Sequence, residues 1–366
     1  MSIGHRGSRL LRVSVPCLTA ASSALLASLV GPARATPQQA AVPQPLFESH
    51  DVLLLRLAAD FHTVTRDVGD DREEHFAKLS YRDSDGDSVF LQVTVQARGR
   101  FRRNRRICNF PPLKLDLRKP EFPKDQLRGT LFENQNELKL VCHCQDGREE
   151  YEQLVLKEYL AYRVYALFTD ASFRVRLARI TYVDTSERRD SLTRYAFFVE
   201  DEDRLAARNG ARILDSLGIR QDETDEQQRA LFAFFQYFIG NTDWKVSAQH
   251  NVILLSRGGD LPLPVPYDFD WAGAVDPPYA APPPELGTYD VRQRVFISPC
   301  LADYDIARVI SLFAERKDEI FSLYANTVGL DERSRRRSFD YFESFYETVN
   351  DPRAVAREFV RSCPRG

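Results

Sequence analysis

QYFIGNTDWKVSAQHNVILLSRGGDLPLPVPYDFDWAG, residues 236–273, decides how the rest of the chain is read. It opens on the end of an apolar run, Leu231 to Ile239, at the spacing of a buried helix, and Gly240-Asn241 then breaks that helix. Asp243 is thereby expected just past a helix end. His250-Asn251 leads into the apolar strand Val252-Ile253-Leu254-Leu255, the turn Arg257-Gly258-Gly259-Asp260 and a second short strand, Pro264 to Tyr267. If the two strands pair antiparallel, Asp243 and Asn251 at one end converge with Asp268 at the other. Such a set suits phosphoryl transfer, in which one carboxylate orients the attacking hydroxyl while an amide oxygen and a second carboxylate hold Mg²⁺ against the phosphates. Each piece has a bland counterpart, since Asn-Thr-Asp also caps helices and an acidic hairpin exit also sits in solvent. The ordered combination carries the chemistry.

Asn251 lies farther beyond Asp243 than the equivalent pair of ordinary protein kinases, and the chain has neither His-Arg-Asp nor Asp-Phe-Gly. The stretch instead resembles the atypical kinases of the spore-coat CotH family. These carry an Asn-Thr-Asp element after a helix and a Trp/Tyr-Asp-Phe-Asp element after a hairpin, here Asn241-Thr242-Asp243 and Tyr267-Asp268-Phe269-Asp270. The resemblance implies an α+β, two-lobed kinase-like fold. Its N-lobe, residues 49–200, would be an antiparallel sheet with one main helix; its C-lobe, residues 201–366, would be mostly helical and carry both motifs. Asp243 would act as base or orienter, Asn251 and Asp268 would hold Mg²⁺, and Asp270 would be a further ligand or would support them. ATP would be the donor, and a protein or small-molecule hydroxyl the acceptor. The alternative is a non-catalytic envelope or secreted protein that keeps the fold.

The N-terminal half suits antiparallel strands: Val52 to Leu57 and Ala77 to Tyr81 alternate in part, Val89 to Ala97 clearly, and Asp83-Ser84-Asp85-Gly86-Asp87 reads as a hairpin turn. Arg98-Gly99 then opens a basic loop running to Arg106, a candidate for holding polyphosphate or a solvated turn. The family places an Arg-Gly element and a Pro-Lys strand here, so Arg98 and Lys114 become nucleotide-binding candidates, with Lys139 a rival for Lys114. Phe101, Arg102 and Arg103 depart from the small polar residues that the family has after the glycine. Helical spacing of apolar residues continues to Phe168, and Glu158 in that helix is the candidate carboxylate to orient the lysine, with Glu150 and Glu152 as alternatives. Two further strands, Arg174 to Val183 and Tyr195 to Glu200, precede the acidic run Glu200-Asp201-Glu202-Asp203, a candidate hinge. Pro277 to Pro284 forms a proline-rich stretch that is neither helix nor central sheet, with Arg292 and Arg294 nearby to select an acceptor or wall off the site.

Residues 1–35 read as an export signal: Arg6, Arg9 and Arg12 precede the apolar stretch Val13 to Val30, and Ala33-Arg34-Ala35 fits a cleavage site. A membrane anchor is the rival, disfavoured by Pro16 and the Ala/Ser content. A flexible leader, residues 36–48, would follow, in an exported protein of the periplasm or the exterior with no stable membrane span. With 50 basic against 53 acidic residues, nucleic acid is not expected as a partner. Five cysteines would remain after cleavage. Cys300 is expected to pair with Cys363, and Cys108 with Cys142 or Cys144, with zinc at Cys142-His143-Cys144 as the rival.

Overall fold

The computed structural model of the chain describes residues 42–360. The export signal expected over residues 1–35, the first part of the leader and Cys363 lie outside them. Where the leader is described it is already packed, because Pro45–Phe47 form a short turn that buries Leu46 and Phe47.

Seven strands close into a barrel: β1 (Leu53–Ala59), β2 (His75–Arg82), β3 (Ser88–Ala97), β4 (Leu113–Asp116), β5 (Glu137–Val141), β6 (Val175–Asp184) and β7 (Leu192–Val199). Around the wall the order is β1-β2-β3-β4-β5-β7-β6. Every pairing is antiparallel except the closing one, β1 with β6, which runs parallel from Leu53↔Ala178 to Ala59↔Asp184. Alternation fills the interior with Leu55, Leu57, Leu79, Leu91, Leu115 and Phe198. Helix α1 (Phe61–Val64) follows β1, and α2 (Glu150–Tyr165) links β5 to β6. Because α2 packs on the outside of β6 and β7, those strands are apolar on both faces: Ala178 and Phe198 point into the barrel, while Leu177 and Phe197 join the helix.

Beyond β7 the chain forms α3 (Glu202–Arg208), β8 (Arg212–Ile213), α4 (Glu226–Ile239), β9 (Val252–Ser256) and β10 (Leu263–Pro266). It ends with α5 (Asp303–Glu315), α6 (Lys317–Asn326), α7 (Glu332–Asn350) and α8 (Pro352–Val355). β8, β9 and β10 make a second, antiparallel sheet in the order β10-β9-β8. Pro264 and Pro266 have no N–H to give a ladder, and they sit on its edge strand.

This architecture overturns the expected α+β, two-lobed kinase-like fold with one main helix. In its place stand a closed mixed barrel, a second sheet and, among the described residues, eight helices. The parallel closure joins β1 to a strand far downstream, and it leaves no local mark because either sense of pairing gives the same alternation along a strand. A single core also crosses residue 200: α2 and the outer faces of β6 and β7 share one cluster with α4, α5, α6 and α7. The acidic run there is anchored. Glu200 is fully buried and accepts from Arg208 Nε at 2.9 Å, Gln44 Nε2 at 2.9 Å and the Arg174 N–H at 3.0 Å, while Asp201 caps α3.

Cys108 pairs with Cys144, tying the basic loop after β3 to the segment before α2, and Cys142 is a buried free thiol. Cys300 is disulfide-bonded; its expected partner Cys363 lies outside the described residues.

Gly240 ends α4 in the left-handed region at φ 64°, and a Cβ there would meet Tyr341 Oη at 2.0 Å. Gly240→Ala is expected to cost about 2 kcal/mol or more from backbone strain plus overpacking. Tyr341→Phe, which removes the opposing oxygen, should restore part of that loss. Urea midpoints of the two single variants and the double variant check it; equal losses in Gly240→Ala with and without Tyr341→Phe would leave strain alone as the cause.

Candidate functional site

The helix break and the hairpin are stitched together by backbone. Gly273 N–H donates to Gly240 O at 3.0 Å and Ala274 N–H to Ile239 O at 2.8 Å, so the segment after Asp270 is held against the end of α4. Asn241 Oδ1 accepts the Asp243 N–H at 3.0 Å, and Asn241 O accepts Trp244 Nε1 at 3.0 Å while that indole packs edge-on to Phe232. Across the hairpin, Tyr267 N–H donates to Asn251 O at 3.1 Å. Asn251 Nδ2 in turn donates to Asp243 O at 2.7 Å and Oδ2 at 3.0 Å, and His250 Nε2 lies 2.8 Å from Asp243 Oδ1. On the other side, the Tyr162 hydroxyl of α2 accepts the Asp268 N–H at 2.8 Å. Asn251 and Asp268 have φ of 54° and 58°. A left-handed conformation costs a non-glycine residue about 1 kcal/mol, less for Asn and Asp, and such outliers gather at functional sites.

The centre of the arrangement is Arg102, from the loop after β3. Its side chain is 8% exposed, and its guanidinium meets three carboxylates: Glu158 Oε2 through Nη1 at 3.1 Å, Asp268 Oδ1 through Nη2 at 2.9 Å and Asp270 Oδ2 through Nε at 3.0 Å. Three carboxylates around one buried cation leave an excess of negative charge that the low-dielectric surroundings penalise. Burial pushes the Glu158 carboxyl up to about 7 against the pull of Arg102, and the charge of Asp268 adds to the rise. Burial likewise drives Asp270 well above the usual carboxylate range, with Asp268 and Glu158 adding to the shift against Arg102. Burial would raise Asp268 too, but Arg102 and Arg98 outweigh it and hold that group low. Glu158 Oε1 is buried with no hydrogen-bond partner.

These groups open into a cleft of 620 Å³ lined by Arg98, Gly99, Arg100, Phe101, Arg102, Asn104, Pro112, Asp243, His250, Asn251, Asp268, Asp270 and Trp271. Of the residues singled out from the sequence, Arg98, Asp243, Asn251, Asp268 and Asp270 therefore come together in it. Glu158 lies behind its wall and grips Arg102 rather than a lysine. Lys114 is elsewhere, with Nζ 3.2 Å from Glu74 and 3.0 Å from Glu137. There Lys114 and Lys119 pair with the carboxylates of Glu74, Asp116 and Glu137. Lys139, the rival, bonds Glu202 and lies 5.3 Å above the Tyr267 ring, near enough for its charge to lower Asp268. The proline-rich segment supplies a wall: Tyr279 lies 5.7 Å from Phe101 and 3.3 Å from Asp270 Oδ2. Arg292 and Arg294 face away and clasp the Tyr341 ring of α7 at 4.7 and 3.8 Å.

The residues that sequence reasoning missed are Arg102, His250, and the aromatic wall of Phe101, Trp271 and Tyr279. Arg102 is one of six arginines between 98 and 106, and no local pattern separates the buried one from the rest. Compared with protein-family models, curated proteins and solved structures, the chain matches none.

The Glu158 shift has a consequence for stability. Between its ordinary value of 4.5 and its folded value of about 7, the folded protein keeps a proton that the unfolded chain has lost, so stability falls as pH rises through that window. Glu158→Gln removes the group, and its stability is expected to be flatter from pH 4.5 to 7 than that of the wild type. Denaturant unfolding at intervals across the window measures this; parallel curves would show that Glu158 titrates normally.

Proposed function

We propose that the cleft is a Mg²⁺-dependent phosphotransferase site, moving a phosphoryl group from ATP to a hydroxyl of a protein or small molecule. The observation that carries this reading is the convergence of Asp243 and Asn251 from one side, and Asp268 and Asp270 from the other, beneath the Arg98 loop. The residues also fit a divalent cation: the carboxylates outnumber the guanidinium and Glu158 Oε1 is an orphaned buried oxygen. Asn251, Asp268 and Asp270 would hold the ion, which would neutralise charge on the phosphates. Asp243, oriented by His250 and Asn251, would take the proton of the acceptor hydroxyl. Arg98 and Arg100 would contact phosphate oxygens, while Phe101 and Trp271 narrow the cleft and exclude water. The resemblance of both motifs to the CotH family supports the same chemistry, although the fold is not the one that the resemblance implied. The Cys108–Cys144 disulfide supports an exported protein, in the periplasm or outside the cell.

One observation favours the non-catalytic alternative. Arg102 already occupies an oxygen of each of Asp268 and Asp270, so it supplies a resident cation where the phosphotransferase reading needs an added one.

Thermal stabilisation by ATP with and without Mg²⁺ separates the two readings. Stabilisation that requires Mg²⁺, with release or transfer of the terminal phosphate, is expected. Asp243→Asn should keep that stabilisation while lowering turnover about a hundredfold or more, the scale of a positioned base. Asp268→Asn should abolish the Mg²⁺ dependence of ATP binding as well as turnover. If the wild type neither binds Mg²⁺-ATP nor turns it over, the non-catalytic reading stands.

A further inference from the structure

The outer face of the barrel carries a second concavity, remote in sequence from the motif residues and independent of the phosphotransferase reading. It is a groove of 730 Å³ over β1, β2, β3 and β6, and its lining contains Arg56, Arg82, Arg176 and Arg179 but no carboxylate. Among the described residues none of these four guanidiniums has an ion-pair partner, in a chain with a net charge of −3 and many salt bridges elsewhere. Arg82 reaches only the Gly86 carbonyl and Arg179 lies 5.6 Å above the Tyr195 ring, while Arg176 is buried and spent on the carbonyls of Leu46 and Ser49, so Arg56, Arg82 and Arg179 are the cations that the groove presents. The charge of Asp51 acts on Arg176 from outside the groove.

Register makes this one surface. Thr181 of β6 faces Arg56 of β1, which faces Ser80 of β2, which faces Phe90 of β3; alongside, Arg179 faces Leu54. Leu54 is 67% exposed and Phe90 73%, the largest apolar exposures on these strands. Cations without counter-charges beside bare apolar side chains call for an occupant that presents carboxylates and apolar groups together. All four strands are already paired on both edges in a closed barrel, which rules out strand addition, so recognition must run through side chains.

We propose that this groove docks an extended acidic peptide segment of a partner protein, with aliphatic or aromatic side chains between its carboxylates. A concave seat favours a chain, which can follow the groove, over a flat lipid surface, which cannot.

Fluorescence anisotropy with a labelled peptide of alternating Glu and Leu tests the proposal, using its Lys-Leu counterpart as control, at low and then at physiological salt. The Glu-Leu peptide should bind, weakening as salt rises, and the Lys-Leu peptide should not. Arg56→Glu/Arg179→Glu should weaken binding about tenfold or more, since both positions are exposed and reverse charge at the seat. Arg56→Gln/Arg179→Gln gives a milder version with less risk to folding, checked by circular dichroism, and Phe90→Ser should weaken binding without changing its salt dependence. Absence of Glu-Leu binding, or binding untouched by both arginine pairs, overturns the proposal. So does a result in which only anionic phosphatidylglycerol vesicles bind in an arginine-dependent way, which would assign the face to lipid. Because no substitution lies in the cleft, phosphotransferase activity should be unchanged in all of these variants.

Discussion

One guanidinium joins three parts of the molecule that the chain keeps far apart. Arg102 leaves the barrel after β3, Glu158 comes from the middle of α2, and Asp268 and Asp270 leave the second sheet after β10; they meet within 3.1 Å at a place almost closed to water. Arg102 is the member whose loss would be costly, about 3–5 kcal/mol on the scale of a broken buried ion pair, because the three carboxylates would lose the counter-ion they share. The Cys108–Cys144 disulfide strengthens the arrangement by pinning the loop that delivers Arg102 to the segment that leads into α2. The barrel and the helical half are thus connected by a polar contact as well as by their shared apolar core.

That shared core explains why an open, hinged arrangement does not form. Phe238 stacks on Phe342 at 4.5 Å and meets Phe313 and Phe345 edge to face or tilted, while Tyr162 of α2 lies 4.6 Å from Phe269 and 5.7 Å from Phe197 of the barrel wall. Phe269 stands between Asp268 and Asp270. Its fully buried ring therefore fixes the two carboxylates by the same packing that holds α2 and α4 together. Separating the halves would expose those rings, at about 25 cal/mol for each Å² of apolar surface returned to water. The loops that carry the site are consequently anchored to packed elements.

The parts legible in the sequence were those with local signatures. Gly240 breaks α4 because its left-handed conformation and its contact with Tyr341 exclude a side chain, and Gly258-Gly259 turns the hairpin with both residues at positive φ. From these two signals the convergence of Asp243, Asn251 and Asp268 follows. The barrel closure was not legible, since the alternation of Leu53 to Leu57 is the same whether β1 pairs with β2 alone or also with β6. Nor was the choice among cations. Alternation puts Lys114 opposite the buried leucines of β4, but what covers that face is decided by Glu74, just before β2, and Glu137 of β5. Arg102 is distinguished from Arg100 or Arg103 only by carboxylates that arrive from residues 158, 268 and 270.

The charge balance at Arg102 links stability to function. In the protein alone, burial, with the neighbouring carboxylates adding to it, pushes Glu158 and Asp270 upward, while Arg102 and Arg98 hold Asp268, the most solvent-exposed of the three, low. On the proposed reading, a divalent cation held by Asp268 and Asp270 would compete with protons and with the guanidinium for their oxygens, so cation affinity would weaken as pH falls. Removing the competitor has the opposite sign. Arg102→Met leaves three carboxylates without a resident cation, and Mn²⁺ binding followed by calorimetry is expected to tighten about tenfold or more, as bringing like charges together raises cation affinity. Arg102→Lys, which keeps the charge but loses the fork that spans three partners, should fall between that variant and the wild type. Weaker Mn²⁺ binding in a folded Arg102→Met protein would mean that the arginine organises the carboxylates for the ion instead of standing in its place.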